Sequence, residues 1–202
     1  MILITCAVGK ELGEFRPPEH VEMLVTGVGP VEASAAVSRA LAQSHYELVI
    51  SAGIAGAFPG AASVGDAVVV SDEFFELDLE TGTPIALPDA ARVVDRAGSD
   101  LALVDRLVEL GFSSVRGITV PRVTATDQTA ARLAAHGVGI ESMEGFAVLR
   151  AAEIAAIPAI EVRGISNIVC DRGSAQWDFE AGVRAAERIL GALLTVTGNV
   201  NG

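Results

Sequence analysis

Residues 139–179 read GIESMEGFAVLRAAEIAAIPAIEVRGISNIVCDRGSAQWDF. Glu141 and Glu144 stand around Met143, an alanine-rich apolar stretch follows, and after Pro158 the chain enters an Ile- and Val-bearing run that carries Arg163 and leads to Asn167. Helical spacing over 144–155, then a short apolar run over 159–165, predicts a helix followed by a strand buried on both faces. A guanidinium inside such a strand needs an anionic or fully hydrogen-bonded partner. Glu144 is the natural candidate for Arg163.

The same alternation extends outward. Apolar, β-branched runs bounded by turn residues predict strands at 2–7, 21–26, 48–51, 67–71 and 115–123. Helical patterns cover 30–43, 100–110, 127–135 and 178–195. In the first of these, Pro30 occupies a first-turn position where its missing N–H costs nothing, and Glu32 complements the helix dipole. In the last, Asp178 is an N-cap candidate. Strands alternating with helices predict an α/β three-layer sandwich around a mixed, largely parallel sheet. Residues 79–100, with TGTP and LPDAAR, read as an excursion over the surface.

The length of 202 residues suits one domain spanning 1–202, since two would leave about 100 residues each, near the small end of the usual range. There are 26 acidic against 14 basic residues, a formal net charge of -12. This opposes a nucleic-acid partner, whose affinity is built from clustered Lys and Arg. No apolar run approaches the roughly 18 residues that suggest a membrane span, and the N-terminal MILITCAVG lacks the positive flank of a signal peptide, so the cytoplasm is expected. Cys6 and Cys170, read as buried side chains, and the scattered His20, His45 and His136 give no support to a disulfide framework or a metal site.

Ligands of open α/β sheets gather beyond the carboxyl ends of strands. Glu11 lies just past the first strand, where a carboxylate is either a general base or a solvated acid at a helix start. TGVGPVEA (26–33) is a Gly-x-Gly turn into a helix, but Glu32 stands where a dinucleotide fingerprint needs its third glycine. In SAGIAGAFPG (51–60), Gly53 and Gly56 permit close approach of a ligand, or simply a tight turn. No phosphate-binding Gly-x-x-x-x-Gly-Lys-Ser/Thr is present. Glu144, at a helix start, is either an ordinary first-turn acid or, favoured by orphan amides and the dipole, an acceptor for two hydroxyls of a ribose diol. Asn167 offers a donor and an acceptor.

TGVGPVEA, SAGIAGAF, SVGDAVVVSDE, ESMEGFA and VRGISNIVCDRGSAQWDF occur in one order along nearly the whole chain. Together they resemble the purine nucleoside phosphorylase and methylthioadenosine/adenosylhomocysteine nucleosidase superfamily, most closely the futalosine hydrolases of menaquinone biosynthesis. The resemblance implies a nucleoside phosphorylase-like fold, a homo-oligomer, and cleavage of an N-glycosidic bond with no metal or cofactor. It implies that Glu11 activates the attacking water, Met143 packs on the sugar, Glu144 holds its hydroxyls and Arg163 orients Glu144. The loop 121–126, with Val123 and Thr124, would contact the base, and Gly53 would border the substrate. Glu141 is read as structural.

Departures from the family pattern sharpen the expectation. Adenine-releasing nucleosidases carry an aspartate where this chain has Asn167, whose amide suits N7 and O6 of a 6-oxopurine and favours hypoxanthine. Ile54, with no arginine nearby, leaves phosphate without a cationic site, so water is the expected nucleophile. The rivals are a methylthioadenosine-type nucleosidase, an inosine phosphorylase and a non-catalytic nucleoside-binding protein. Arg16, Arg122 and Arg172 are candidates for a carboxylate at the far end of the substrate.

Overall fold

The first strand, β1 (Ile2–Cys6), is buried along its length. It pairs in parallel with β2 (Val21–Val25) and with β3 (Leu48–Ala57). The other strands are β4 (Ala67–Phe75), β5 (Arg96–Gly98), β6 (Ser113–Thr119), β7 (Ile140–Ser142) and β8 (Ala159–Ile168). The helices are α1 (Pro30–Gln43), α2 (Leu101–Glu109), α3 (Asp127–Ala134), α4 (Gly145–Ile154) and α5 (Phe179–Gly198). The computed structural model describes residues 1–77, 85–90, 93–173 and 176–198.

β3 is long enough to change neighbours along one edge, pairing first with β1 and then, at Gly56 and Ala57, antiparallel with β7. Its other edge pairs in parallel with β8. β8 meets β4, β4 meets β6 and β6 meets β7, so β3, β8, β4, β6 and β7 close on one another while β1 and β2 extend outward. Ala55, Ala57, Val68, Val70, Ile140 and Ile165 pack together inside this ring.

Side-chain alternation along each strand then sorts the outer layers. Ile50, Val69 and Val162 face α2 and α5, where Leu107, Ile189 and Leu193 are fully buried. Each such aliphatic side chain contributes about 1.5–3 kcal/mol by leaving water. Val49 faces the opposite layer of α1 and α4, with Val37 and Val148. Helices on both sides of a mixed sheet match the expected architecture. Among the described residues no helix is long and apolar enough to cross a membrane.

The differences from expectation are local. The strand expected at 48–51 runs to Ala57, and its glycines are strand residues rather than a turn, because the side chains packed over them leave no room for a Cβ. The strand expected at 115–123 stops at Thr119, before Pro121 removes a ladder donor. The strand expected at 159–165 continues to Ile168 and carries Asn167 within it. β5 and β7 have three residues each, too few for a periodic signal. β5 lies in the expected surface excursion, of which 78–84, including TGTP, and 91–92 fall outside the described residues. Helix starts follow their caps: Asp100 accepts from the Leu103 N–H, Thr126 from Thr129 and Asp178 from Ala181. Cys6 is buried, whereas Cys170 is only half-buried.

Candidate active site

Glu11, Val123, Met143, Glu144, Asn167 and Trp177 line one pocket beyond the end of β1 and along the last residues of β3 and β8. Glu11 reaches it from a short 3-10 turn, Gly9–Leu12, that follows β1. Burial pushes its carboxyl up to about 7; the Arg163 charge opposes the rise, Glu144 adds to it, and the Ala7 and Val8 amides oppose it. Its Oε2 is buried without a hydrogen-bond partner. A carboxyl that titrates near neutrality with one oxygen open can take a proton from water.

Gly53 makes this placement possible. A Cβ there would stand 2.6 Å from Glu11 Oε2 and 2.8 Å from Arg163 Nη1. The glycine is the gap in which the two side chains converge.

Arg163 corrects the expected pairing. Its Nε donates to Glu161 Oε1 at 2.7 Å and its Nη2 to Ser51 Oγ at 3.0 Å, while Glu144 Oε1 accepts the Gly29 N–H at 2.8 Å. Residues two apart on a strand share a face, so β8 supplies the arginine's own anion. Glu144 does not cap α4, although it occupies the N-cap position. Burial alone would lower the Arg163 pKa, but Glu161, Glu144 and Glu11 together outweigh it and hold the guanidinium charged. Arg163 therefore acts on Glu11 and Glu144 through its field, from a position fixed by Glu161.

Sequence reasoning missed Glu161 and, behind it, Glu73. Both are fully buried. The two carboxyls are hydrogen-bonding neighbours, each with one oxygen lacking any other donor. Glu73 Oε2 accepts the Thr119 hydroxyl at 2.7 Å. Burial and then the Glu161 charge raise the Glu73 pKa well above its ordinary value, which favours the protonated form of Glu73 beside Glu161. The signal was an acid inside each apolar run, VVVSDEF and AIEVRG.

At the other end of the pocket, the Ser166 hydroxyl has two acceptors for its one proton, Asn167 Oδ1 at 2.9 Å and the more distant Ala55 carbonyl at 3.2 Å. The nearer of the two leaves the Asn167 Nδ2 donors for a ligand. Trp177 forms an antiparallel bridge with Asn167. Met143 packs on the cluster of Phe58, Phe74 and Ile118. Ile54 forms wall, as does Val123. Thr124 is buried, and its N–H donates to Glu141 Oε1 at 3.2 Å. Burial raises the Glu141 pKa, with Thr124 hydrogen bonding opposing. Arg16, Arg122 and Arg172 are all exposed, and Arg172 stacks its guanidinium 5.3 Å from the Trp177 ring centre.

Residues 18–196 match a family model described as the phosphorylase superfamily. A futalosine hydrolase of Acidothermus cellulolyticus is 37% identical over 181 residues, covering 85% of this chain and 74% of that protein. A futalosine hydrolase of Streptomyces coelicolor is 33% identical over 209 residues, covering 90% and 81%. Among solved structures, the 5′-methylthioadenosine/S-adenosylhomocysteine nucleosidase of Neisseria meningitidis in complex with methylthio-immucillin-A superimposes with a TM-score of 0.78 at 15% identity, over 96% of this chain and 97% of that one. The corresponding nucleosidase of Streptococcus pneumoniae, in complex with 8-aminoadenine, gives 0.78 at 19% identity over 96% and 98%. At such identities the solved structures speak for the fold, and the futalosine hydrolases speak for the branch. The chain belongs to the phosphorylase superfamily and, within it, to the futalosine hydrolases.

Proposed function

We propose that the protein hydrolyses the N-glycosidic bond of futalosine and releases hypoxanthine, with Glu11 as general base. The observation that carries this reading is the buried Glu11 carboxyl, raised to about 7, with its open Oε2 in the same pocket as Glu144 and Asn167. Water attacks C1′ as the bond to N9 breaks, and Glu11 takes the proton the water loses. Glu144 accepts the ribose hydroxyls and Met143 packs on the sugar. Positive charge develops on the sugar, as in other glycosidic hydrolysis, and the electron pair of the broken bond passes to the purine. Asn167 Nδ2, aimed at N7 or O6, stabilises that charge, and N7 or N9 takes a proton from solvent water as hypoxanthine leaves.

Gly53, Val123 and Thr124 border the substrate in this reading, and residues 1–202 act as one catalytic domain without metal or cofactor. The family resemblance supports the finer assignments: menaquinone biosynthesis, the cytoplasm and a homo-oligomer. Chromatography of purified protein with futalosine, with and without phosphate, tests the proposal. Hypoxanthine should appear at the same rate in both. Strict dependence on phosphate would make the protein a phosphorylase, and cleavage of methylthioadenosine alone would move it to the adenine-releasing branch.

A further inference from the structure

Glu141, expected to be structural, does hold the Thr124 N–H, and it also lines the pocket. Gly56 of β3 is paired on one edge with Asn167 of β8 and on the other with Glu141 of β7. Directly paired residues project to the same face, and neighbouring strands lie about 4.8 Å apart, so Asn167 and Glu141 end a row roughly 10 Å long. Gly56 itself carries no side chain, and the Val169 side chain and the Asn167 amide lie over it: a Cβ there would meet Val169 Cγ2 at 2.9 Å and Asn167 Nδ2 at 3.0 Å. The inward-facing Ala57 and Ile140 pack inside the strand ring, which turns Gly56 and Glu141 outward to the pocket that both line.

Glu141 is 6% exposed. One carboxylate oxygen is occupied by the Thr124 N–H, whereas Oε2 is buried without a hydrogen-bond partner, and the Thr124 hydroxyl beside this carboxylate is likewise unpaired. Anchoring the 121–126 loop needs a single acceptor, which a glutamine would supply equally well. A second buried oxygen left unpaired carries a desolvation cost that a ligand donor would offset.

We propose that Glu141 reads the base opposite Asn167, its carboxylate Oε2 accepting the N1–H of a 6-oxopurine. The assignment rests on the reading that a purine nucleoside fills this pocket. The complementarity is specific. A 6-oxopurine presents acceptors at N7 and O6 to Asn167 Nδ2 and a donor at N1 to Glu141. A 6-aminopurine reverses two of these, setting an amino donor against the Asn167 donor and the N1 lone pair against a carboxylate oxygen. Discrimination against a ligand that leaves buried polar groups unpaired is large, because the loss falls on the site as well as on the ligand.

The test compares futalosine, its 6-amino counterpart and its N1-methyl derivative with wild type and Glu141→Gln. Glutamine keeps an acceptor for Thr124 and turns a donor towards N1. Futalosine kcat/KM should fall about 10²-fold in the variant, while cleavage of the 6-amino counterpart holds or rises, so that their ratio shifts by at least the fall itself. An equal fall for both substrates would assign Glu141 a structural role and overturn the proposal. N1-methylfutalosine requires no variant: wild type should cleave it about 10²-fold more slowly than futalosine, and equal rates would also overturn the proposal. Failure of wild type to cleave futalosine at all would instead sink the functional reading beneath it.

Discussion

Glu144 Oε1 accepts the backbone N–H of Gly29 at 2.8 Å, so the acid that precedes α4 is held by the N-cap residue of α1. Gly29 has φ of 96°, a conformation open chiefly to glycine, and this aims its amide across to β7 and α4. Gly29 of TGVGPVEA thus serves a carboxylate 115 residues away rather than a dinucleotide phosphate. One carboxylate oxygen is fixed and the side chain still faces the pocket.

Glu144→Gln should therefore weaken the grip on the ribose. Hydrogen bonds to a charged group contribute about 1.5–3 kcal/mol, so losing the charge opposite two hydroxyls should lower kcat/KM by roughly 10²- to 10³-fold. A 2′-deoxy substrate should be poor for wild type and should lose little more in the variant. Equal wild-type rates for the ribo and deoxy substrates would remove Glu144 from the diol.

Glu11 yields a pH signature. A base must be ionised, so kcat/KM should rise tenfold per pH unit in acid and level off near pH 7, where burial has placed its titration. Glu11→Gln should lose about 10²- to 10⁴-fold in turnover together with that acid limb. Stability should move oppositely. The folded pKa is raised, so the stabilisation from protonation is complete below about 4.5 and is lost as pH rises through about 7. At pH 8 the glutamine variant should then be more stable than wild type, by up to about 3 kcal/mol in denaturant unfolding. A variant that is less stable at pH 8 would show that the carboxylate is compensated in the folded protein.

What the sequence disclosed follows from how local each feature is. Pro30, Asp100, Thr126 and Asp178 mark helix starts through contacts within one turn, and β1 and β2 are whole, uninterrupted runs. β3 was truncated in the reading because glycine signals a turn locally, while at Gly53 and Gly56 it answers to Glu11, Arg163 and Asn167 arriving from distant segments. β7 is three residues long and owes its register to the closing of the strand ring. Nothing near Glu141 in the chain announces that Asn167 lies across Gly56 from it. The partner of Arg163 was legible in principle, since Glu161 is two residues away in an expected strand.

Glu161 and Glu73 should respond unequally to neutralisation. Glu161 is the direct anion of a buried arginine, and breaking such a pair costs about 3–5 kcal/mol, so Glu161→Gln should lose stability on that scale and slow turnover as Arg163 shifts. The raised Glu73 pKa favours its neutral form, and Glu73→Gln then replaces one neutral donor with another beside Glu161. Its unfolding free energy and kcat should stay near wild type. Parallel losses in the two variants, measured by urea unfolding, would mean that Glu73 is ionised and that the shared proton is wrongly placed.

Asn167 decides which base departs, and Ser166 decides which way Asn167 faces. The Ser166 hydroxyl lies nearer to Asn167 Oδ1, at 2.9 Å, than to the competing Ala55 carbonyl, at 3.2 Å, and so favours the orientation in which the amide donates to the pocket, the polarity required by N7 and O6. Wild type should release hypoxanthine far faster than adenine from otherwise matched nucleosides. Removing one preorganised donor aimed at developing charge costs about 10²- to 10³-fold in turnover, so Asn167→Ala should fall in that range. Asn167→Asp sets a carboxylate against O6 and should lose 6-oxopurine cleavage, but a protonated carboxyl can pass its proton to N7 of adenine and recover some activity there. Ser166→Ala frees the amide to turn over, so it should cost futalosine cleavage about tenfold, roughly one neutral hydrogen bond, without abolishing it. The ratio of hypoxanthine to adenine release, measured for all four proteins under one set of conditions, separates these outcomes. A ratio near one in wild type, or one that Asp leaves unchanged, would show that Asn167 does not read the base.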